Sequence, residues 1–176
     1  MKRSVGLWQF ALFALTSILG TVLHYLYDLS DGAVWIAPFS GVNESTWEHM
    51  KLLFWPMFAL AVFQSFFFGD YEDFWCVKLR GTLLGICLIP IIFYTYNGVI
   101  GKSPAWINIA IFFLSAAISY FYEATLMKKE SECRISKRFA ISILTFLALL
   151  FVIFTFYTPK IDVFKDPITK TFGISG

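Results

Sequence analysis

The stretch Phe139–Tyr157, FAISILTFLALLFVIFTFY, decides the fold. It carries no charge, and its apolar side chains cover every side of a helix rather than one stripe. Crossing the hydrocarbon of a bilayer takes about 20 mainly apolar residues in a helix, and this stretch meets that requirement. So do four others, approximately Leu7–Tyr27, Met50–Phe68, Val77–Tyr96 and Ala105–Leu126. The expected fold is all-α: a polytopic transmembrane helical bundle of about five spans.

Composition points the same way. Of 176 residues, 58% are hydrophobic, 20% aromatic and only 15% charged, and 21 are Phe. A water-soluble core of this size cannot hide that much apolar surface. The expected partner is the lipid bilayer, and the expected location is the cell (inner) membrane. A net charge of +2, with Lys and Arg spread over connecting segments, argues against nucleic-acid binding. No repeat or linker divides the chain, so 1–176 reads as a single integral membrane domain. The basic start MKRSVG resembles that of a signal peptide, but a long apolar run without an Ala-x-Ala site follows, as in an uncleaved first span. Cys76, Cys87 and Cys133 show no metal or CxxC spacing, and their odd number suggests free thiols.

Basic residues near span ends are retained on the cytoplasmic side. One side collects Lys2, Arg3, Lys78, Arg80, Lys128, Lys129, Arg134, Lys137 and Arg138, and the other holds Lys51, Lys102, Lys160, Lys165 and Lys170. This bias favours a cytoplasmic N-terminus and an external C-terminus. The loop Asp28–His49, the turn Asn97–Pro104 and the tail 158–176 then lie outside. The loop centre GAVWIAPF is too short to span and suits a re-entrant segment, while Pro159, Pro167 and Gly173 make the tail an extended lid rather than a helix.

Ionisable groups at membrane depth are costly and tend to mark function. His24 lies about a turn from the outer end of the first span, with Asp28 four residues on. The polar stretch Asn43–Lys51, NESTWEHMK, opens the second span. Ser45 and Glu48 have the spacing of a capping box, Asn43 can cap one turn earlier, and Glu48 and Lys51 can pair at i,i+3. Asn97 can add an amide from the end of the third span, or act as a C-cap with Gly98. His24, Asp28, Asn43, Glu44, Glu48, His49 and Asn97 are thus candidate binding residues. His24, Asp28 and His49 are candidate ligands of a divalent metal, with Glu48 the candidate catalytic base. The structural alternative is a helix cap surrounded by interfacial polar residues. Glu123 lies at the other end, where pairing with Lys78, Arg80 or Lys128 accounts for it. Asn43-Glu44-Ser45 matches a glycosylation acceptor, but at the membrane surface it reads as coincidence. GTLLG, Gly81–Gly85, has the spacing of a small-residue packing motif.

The segments PFSGVNESTWEHMKLLFWP (Pro38–Pro56) and YTPKIDVFKDPITKTFGI (Tyr157–Ile174), with the His24 end of the first span, resemble an uncharacterised bacterial family of small multi-pass membrane proteins. The resemblance implies that loop and tail belong together, and it assigns no activity. The expected function is an outer-face polar pocket for a small molecule or ion, closed by the tail. The alternatives are a membrane-embedded metal-dependent enzyme, such as a hydrolase, and a non-catalytic partner subunit. A carrier fits less well, because five spans without repeats lack symmetric halves.

Overall fold

The computed structural model describes residues 2–68, 71, 73–101, 104–129 and 133–174. Five helices account for most of them: α1 Lys2–Leu29, α2 Thr46–Phe68, α3 Phe74–Val99, α4 Ala105–Lys129 and α5 Lys137–Phe156. All five are long and apolar enough to cross a membrane. The remaining regular element is a 3-10 turn, Asp162–Phe164.

The helices overrun the apolar stretches by up to five residues, and two of the extended starts are capped within the protein. Ser136 Oγ accepts from the Phe139 N–H at the start of α5 (3.3 Å), and Ser45 does the same for α2. Asn97 is not a C-cap. Helix α3 continues through it and Gly98, and its side-chain amide donates to the Phe93 carbonyl (2.8 Å).

Helices α1, α2, α3 and α4 form a closed ring of neighbours, with α5 packed on the outside against α3 and α2. Two glycine devices set this packing. On α3, a Cβ at Gly81 would collide with the Glu123 carboxyl, and one at Gly85 with Ser119 Oγ, both on α4. GTLLG therefore serves as a helix-contact surface within the chain. On α1, Gly20 faces Phe112 of α4 and the Leu52 carbonyl of α2. Pro56 has no N–H to offer Leu52 O, so the bare glycine backbone comes close to a carbonyl that its own helix leaves unpaired.

The expected re-entrant segment is a series of turns rather than a helix, with Ile36 N–H donating to Ala33 O (2.9 Å) and Ser40 N–H to Ile36 O (3.1 Å). Ile36 and Ala37 are buried, whereas Val34 and Trp35 are exposed. Irregular backbone is tolerated at such depth when the protein satisfies it. Here Lys51 Nζ donates to the Ala37 carbonyl (2.8 Å) and Trp55 Nε1 to the Pro38 carbonyl (2.9 Å).

The thiol expectation needs correcting for two of the three cysteines. Cys76, in the first turn of α3, and Cys133, in the α4–α5 connection, form a disulfide, with Cα atoms 6.3 Å apart. Only packing of the connection against α3 brings them together, and their spacing carries no such signal. Cys87 is free and exposed. The same end of the bundle holds a second polar centre. Lys78 Nζ lies 2.5 Å from Glu123 Oε2, the two residues being 2% and 0% exposed.

Candidate functional site

At the opposite end, the chain from Ser40 to Ser45 is fastened before α2 begins. Ser40 Oγ donates to the Leu23 carbonyl and accepts from the Tyr27 N–H (2.9 Å), both near the end of α1. Gly41 N–H reaches Leu23 O as well (3.2 Å). Asn43 Oδ1 accepts from the Ser45 N–H (2.8 Å), closing an Asx turn, and its Nδ2 donates to the Gly173 carbonyl of the tail (2.9 Å). Ser45 Oγ then accepts from the Glu48 N–H (3.4 Å) as the N-cap of α2.

Half of the expected capping box is missing. Asn43 takes the Ser45 N–H, and the Glu48 carboxylate turns inward. Its Oε2 lies 2.5 Å from Lys51 Nζ and accepts from the Val42 N–H (3.1 Å). Lys51 also donates to Thr155 Oγ1 of α5 (3.2 Å), so with Glu48 and Ala37 O its ammonium has three acceptors. Glu48 and Lys51 are 3% and 0% exposed. The residue expected as a base is committed to a buried clip, away from the side chains that line the cleft described next.

Glu44 precedes α2, so it does not share a helical face with Glu48. Its backbone N–H donates to Asp166 Oδ2 in the tail (3.3 Å), and its side chain turns to both histidines. Oε1 lies 3.4 Å from His24 Nε2 and Oε2 lies 3.7 Å from His49 Nε2. The two imidazole rings, from α1 and α2, have centroids 5.8 Å apart. His49 Nδ1 is 2.9 Å from the Ser45 carbonyl. A carbonyl only accepts, so Nδ1 carries the proton, and in the neutral ring Nε2 is an acceptor facing Glu44.

These three side chains wall a cleft of about 930 Å³, which Tyr94, Asn97, Asn108, Pro167, Ile168 and Lys170 also line. Asn97 thus joins the site from the end of α3. Asp28 does not: it is exposed one turn beyond His24. Among the described residues no group of three or more His, Cys, Asp or Glu side chains is placed to hold a metal ion. The expected His24, Asp28, His49 metal set therefore does not assemble.

The tail contributes more than its composition suggests. Lys165 and Phe172 pair in an antiparallel bridge, and Lys170 and Gly173 take positive φ, 64° and 67°, to turn the chain. Asp166 organises this turn: its Oδ1 accepts from the N–H groups of Ile168 (2.6 Å) and Thr169 (3.1 Å). Burial alone would raise the Asp166 pKa, but these donors and the Glu44 N–H outweigh it and hold the carboxyl below its ordinary range. Trp47 of α2 packs on Phe164, Phe151 and Phe154, with ring centroids 4.6, 4.6 and 5.6 Å away. Pro167, Ile168 and Lys170 thereby become cleft residues. The Asp-Pro pair at 166–167 was the sequence signal for this turn.

Residues 2–174 match a family of unknown function (DUF6512). The chain belongs to that family. No curated protein and no solved structure matches it. The expectation of an uncharacterised family is thus met for this DUF6512 protein. Membership brings no residue roles with it, so any role must come from the geometry of the cleft.

Proposed function

We propose that this DUF6512 protein is a multi-pass protein of the cell membrane that binds a small molecule in the cleft walled by His24, Glu44 and His49. One observation carries the reading: the Glu44 carboxylate is held between two imidazoles from different helices, on the wall of a cleft of about 930 Å³. That volume lies within the range of about 300–1,000 Å³ common to ligand pockets. A cap has no need of this arrangement, since Ser45 caps α2 without Glu44, His24 or His49. The hydrolase reading loses its support, because Glu48 is paired with Lys51 and Asp28 lies apart.

Two features bear on orientation in opposite senses. Among the described residues Lys and Arg gather at the end of the bundle that holds the N-terminus, nine against four, and removing the buried Lys78 and Lys51 leaves eight against three. The Cys76–Cys133 disulfide sits at that same end, although disulfides persist mainly outside the cytoplasm. We take the charge bias as decisive, because it acts at insertion, whereas a thiol pair follows its compartment afterwards. The cleft then opens on the external face. A Lys170→Cys variant should react with an impermeant maleimide in intact cells, and reaction only after lysis would reverse the orientation.

Binding itself is tested by co-purification. Small molecules extracted from the protein purified in mild detergent should include one that is stoichiometric in the wild type and depleted in Glu44→Ala. Identical extracts from the two would overturn the reading.

A further inference from the structure

We propose that the ligand of this cleft is a single-chain amphiphile with an ammonium head group, the head held by Glu44 and His49 and the chain laid in a groove between α1 and α4. The inference rests on the cleft being a binding site, as proposed above, and names the class of molecule.

The cleft does not end at the histidines. A groove of about 150 Å³ shares His24, Tyr25, His49 and Ile109 with it and continues past Gly20, Thr21, Phe112 and Phe113. From His24 to Gly20 helix α1 descends roughly 6 Å toward the middle of the span. The missing side chain at Gly20 leaves this floor to the Phe112 ring. Thr21, Tyr25 and Ile109 are exposed along its flank, and within a membrane-spanning segment that flank meets lipid. The groove is therefore a lateral opening that an alkyl chain can enter from the bilayer. A water-soluble ligand would fill the cleft and leave the groove unused, while a two-chain lipid would need a second groove beside the first.

The polar end selects the head group. His49 Nδ1–H is committed to the Ser45 carbonyl, so in the neutral ring its Nε2 presents a lone pair to Glu44 Oε2 at 3.7 Å. Two acceptors facing each other at that separation call for a donor carrying more than one hydrogen. A primary ammonium supplies three hydrogens and a charge opposite to that of Glu44. The other carboxylate nearby, Asp166, is occupied by the backbone N–H groups of Ile168, Thr169 and Glu44. The Lys170 ammonium donates to the Pro167 carbonyl (2.6 Å) rather than reaching for an anion. A carboxylate or phosphate head would meet Glu44 first.

Full-length protein in neutral maltoside micelles, followed by tryptophan fluorescence on heating, tests this with three probes: dodecylamine, butylamine and dodecanoate. Dodecylamine should raise the unfolding midpoint saturably, butylamine should need at least about 100-fold more, since each buried methylene adds affinity, and dodecanoate should do nothing. Glu44→Gln should weaken dodecylamine about 10- to 100-fold, as loss of a charged hydrogen-bond partner does. Thr21→Phe fills the groove from its lipid side and should weaken dodecylamine while sparing butylamine. Glu44 is partly exposed, and ligand-free midpoints will show that both variants fold. Equal potency of the two amines, both lost in Glu44→Gln, would remove the chain from the proposal and leave the polar pocket standing. Dodecylamine stabilisation indifferent to Glu44→Gln would be micellar partitioning and would overturn the ammonium assignment. The co-purified molecule described above then decides the pocket separately.

Discussion

Among the described residues the bundle holds two buried ion pairs at opposite ends, each with a Lys–Glu distance of 2.5 Å, and they are built differently. Lys51 joins three segments: Glu48 on its own helix, Ala37 and, through Glu48, the Val42 N–H in the loop, and Thr155 on α5. Among the described residues Lys78 has one acceptor, Glu123, and it lies over the Phe74 and Tyr120 rings, 5.7 and 5.6 Å from their centroids. Glu123 Oε1 and Gln9 Oε1 have no partner among the described residues, although Gln9 lies within reach of Glu123. The first pair fastens irregular backbone around a cleft. The second neutralises two charges where α3 and α4 come close.

Removing one partner of a buried pair strands the other charge and costs about 3–5 kcal/mol. Lys51→Met should sit at the top of that range, because it also orphans the Ala37 carbonyl that holds the loop. Lys78→Met should fall lower in it. The double variants widen the contrast. Lys78→Met with Glu123→Met should recover most of the loss, since apolar replacements of similar volume are often neutral. Lys51→Met with Glu48→Met should stay well below wild type, with Ala37 O and Val42 N–H unpaired. Unfolding in detergent measures both cycles, and equal recovery would erase the distinction.

A smaller effect is expected where the second pair meets the helix contact. Gly81→Ala places a methyl group against the Glu123 carboxyl, and overpacking of this kind costs about 1–3 kcal/mol. Gly98→Ala, which has nothing within 4 Å of the added atom, should be neutral or slightly stabilising, because alanine favours helix. A similar loss at both positions would mean that the α3–α4 approach is not set by Gly81.

These contrasts also show what the sequence could reveal. Each helix was legible because its apolar run is long, and the Glu48–Lys51 pair because i,i+3 spacing is local. The helix ends ran past the apolar stretches, since Ser45 and Ser136 cap them regardless of hydropathy. Glu44 was legible as a candidate, but its partners were not: His24 lies 20 residues upstream, and Asp166, which positions its backbone, is 122 residues away. The metal set failed for a related reason, because Asp28 shares a helix with His24 without facing the cleft. The Cys76–Cys133 link likewise depends on how a connection folds back on α3.

The smallest expected effect concerns acid. Asp166 has an ordinary value of 3.8 that the fold lowers. A carboxyl with a depressed folded pKa stabilises fully above its unfolded value, and that contribution fades as pH falls through the lower folded value. Tail docking should therefore hold from neutral pH down to about 4 and weaken below it. Asp166→Asn keeps one acceptor oxygen but no charge, so it should cost about 1 kcal/mol at pH 6. It should also flatten the acid limb below pH 4, as read from unfolding midpoints. The loop end, which meets α5 through Thr155 and the tail through Asn43, should feel this change. Lys78→Met should show the same acid limb as wild type if the two ends are energetically separate, and a shared limb lost in both variants would join them.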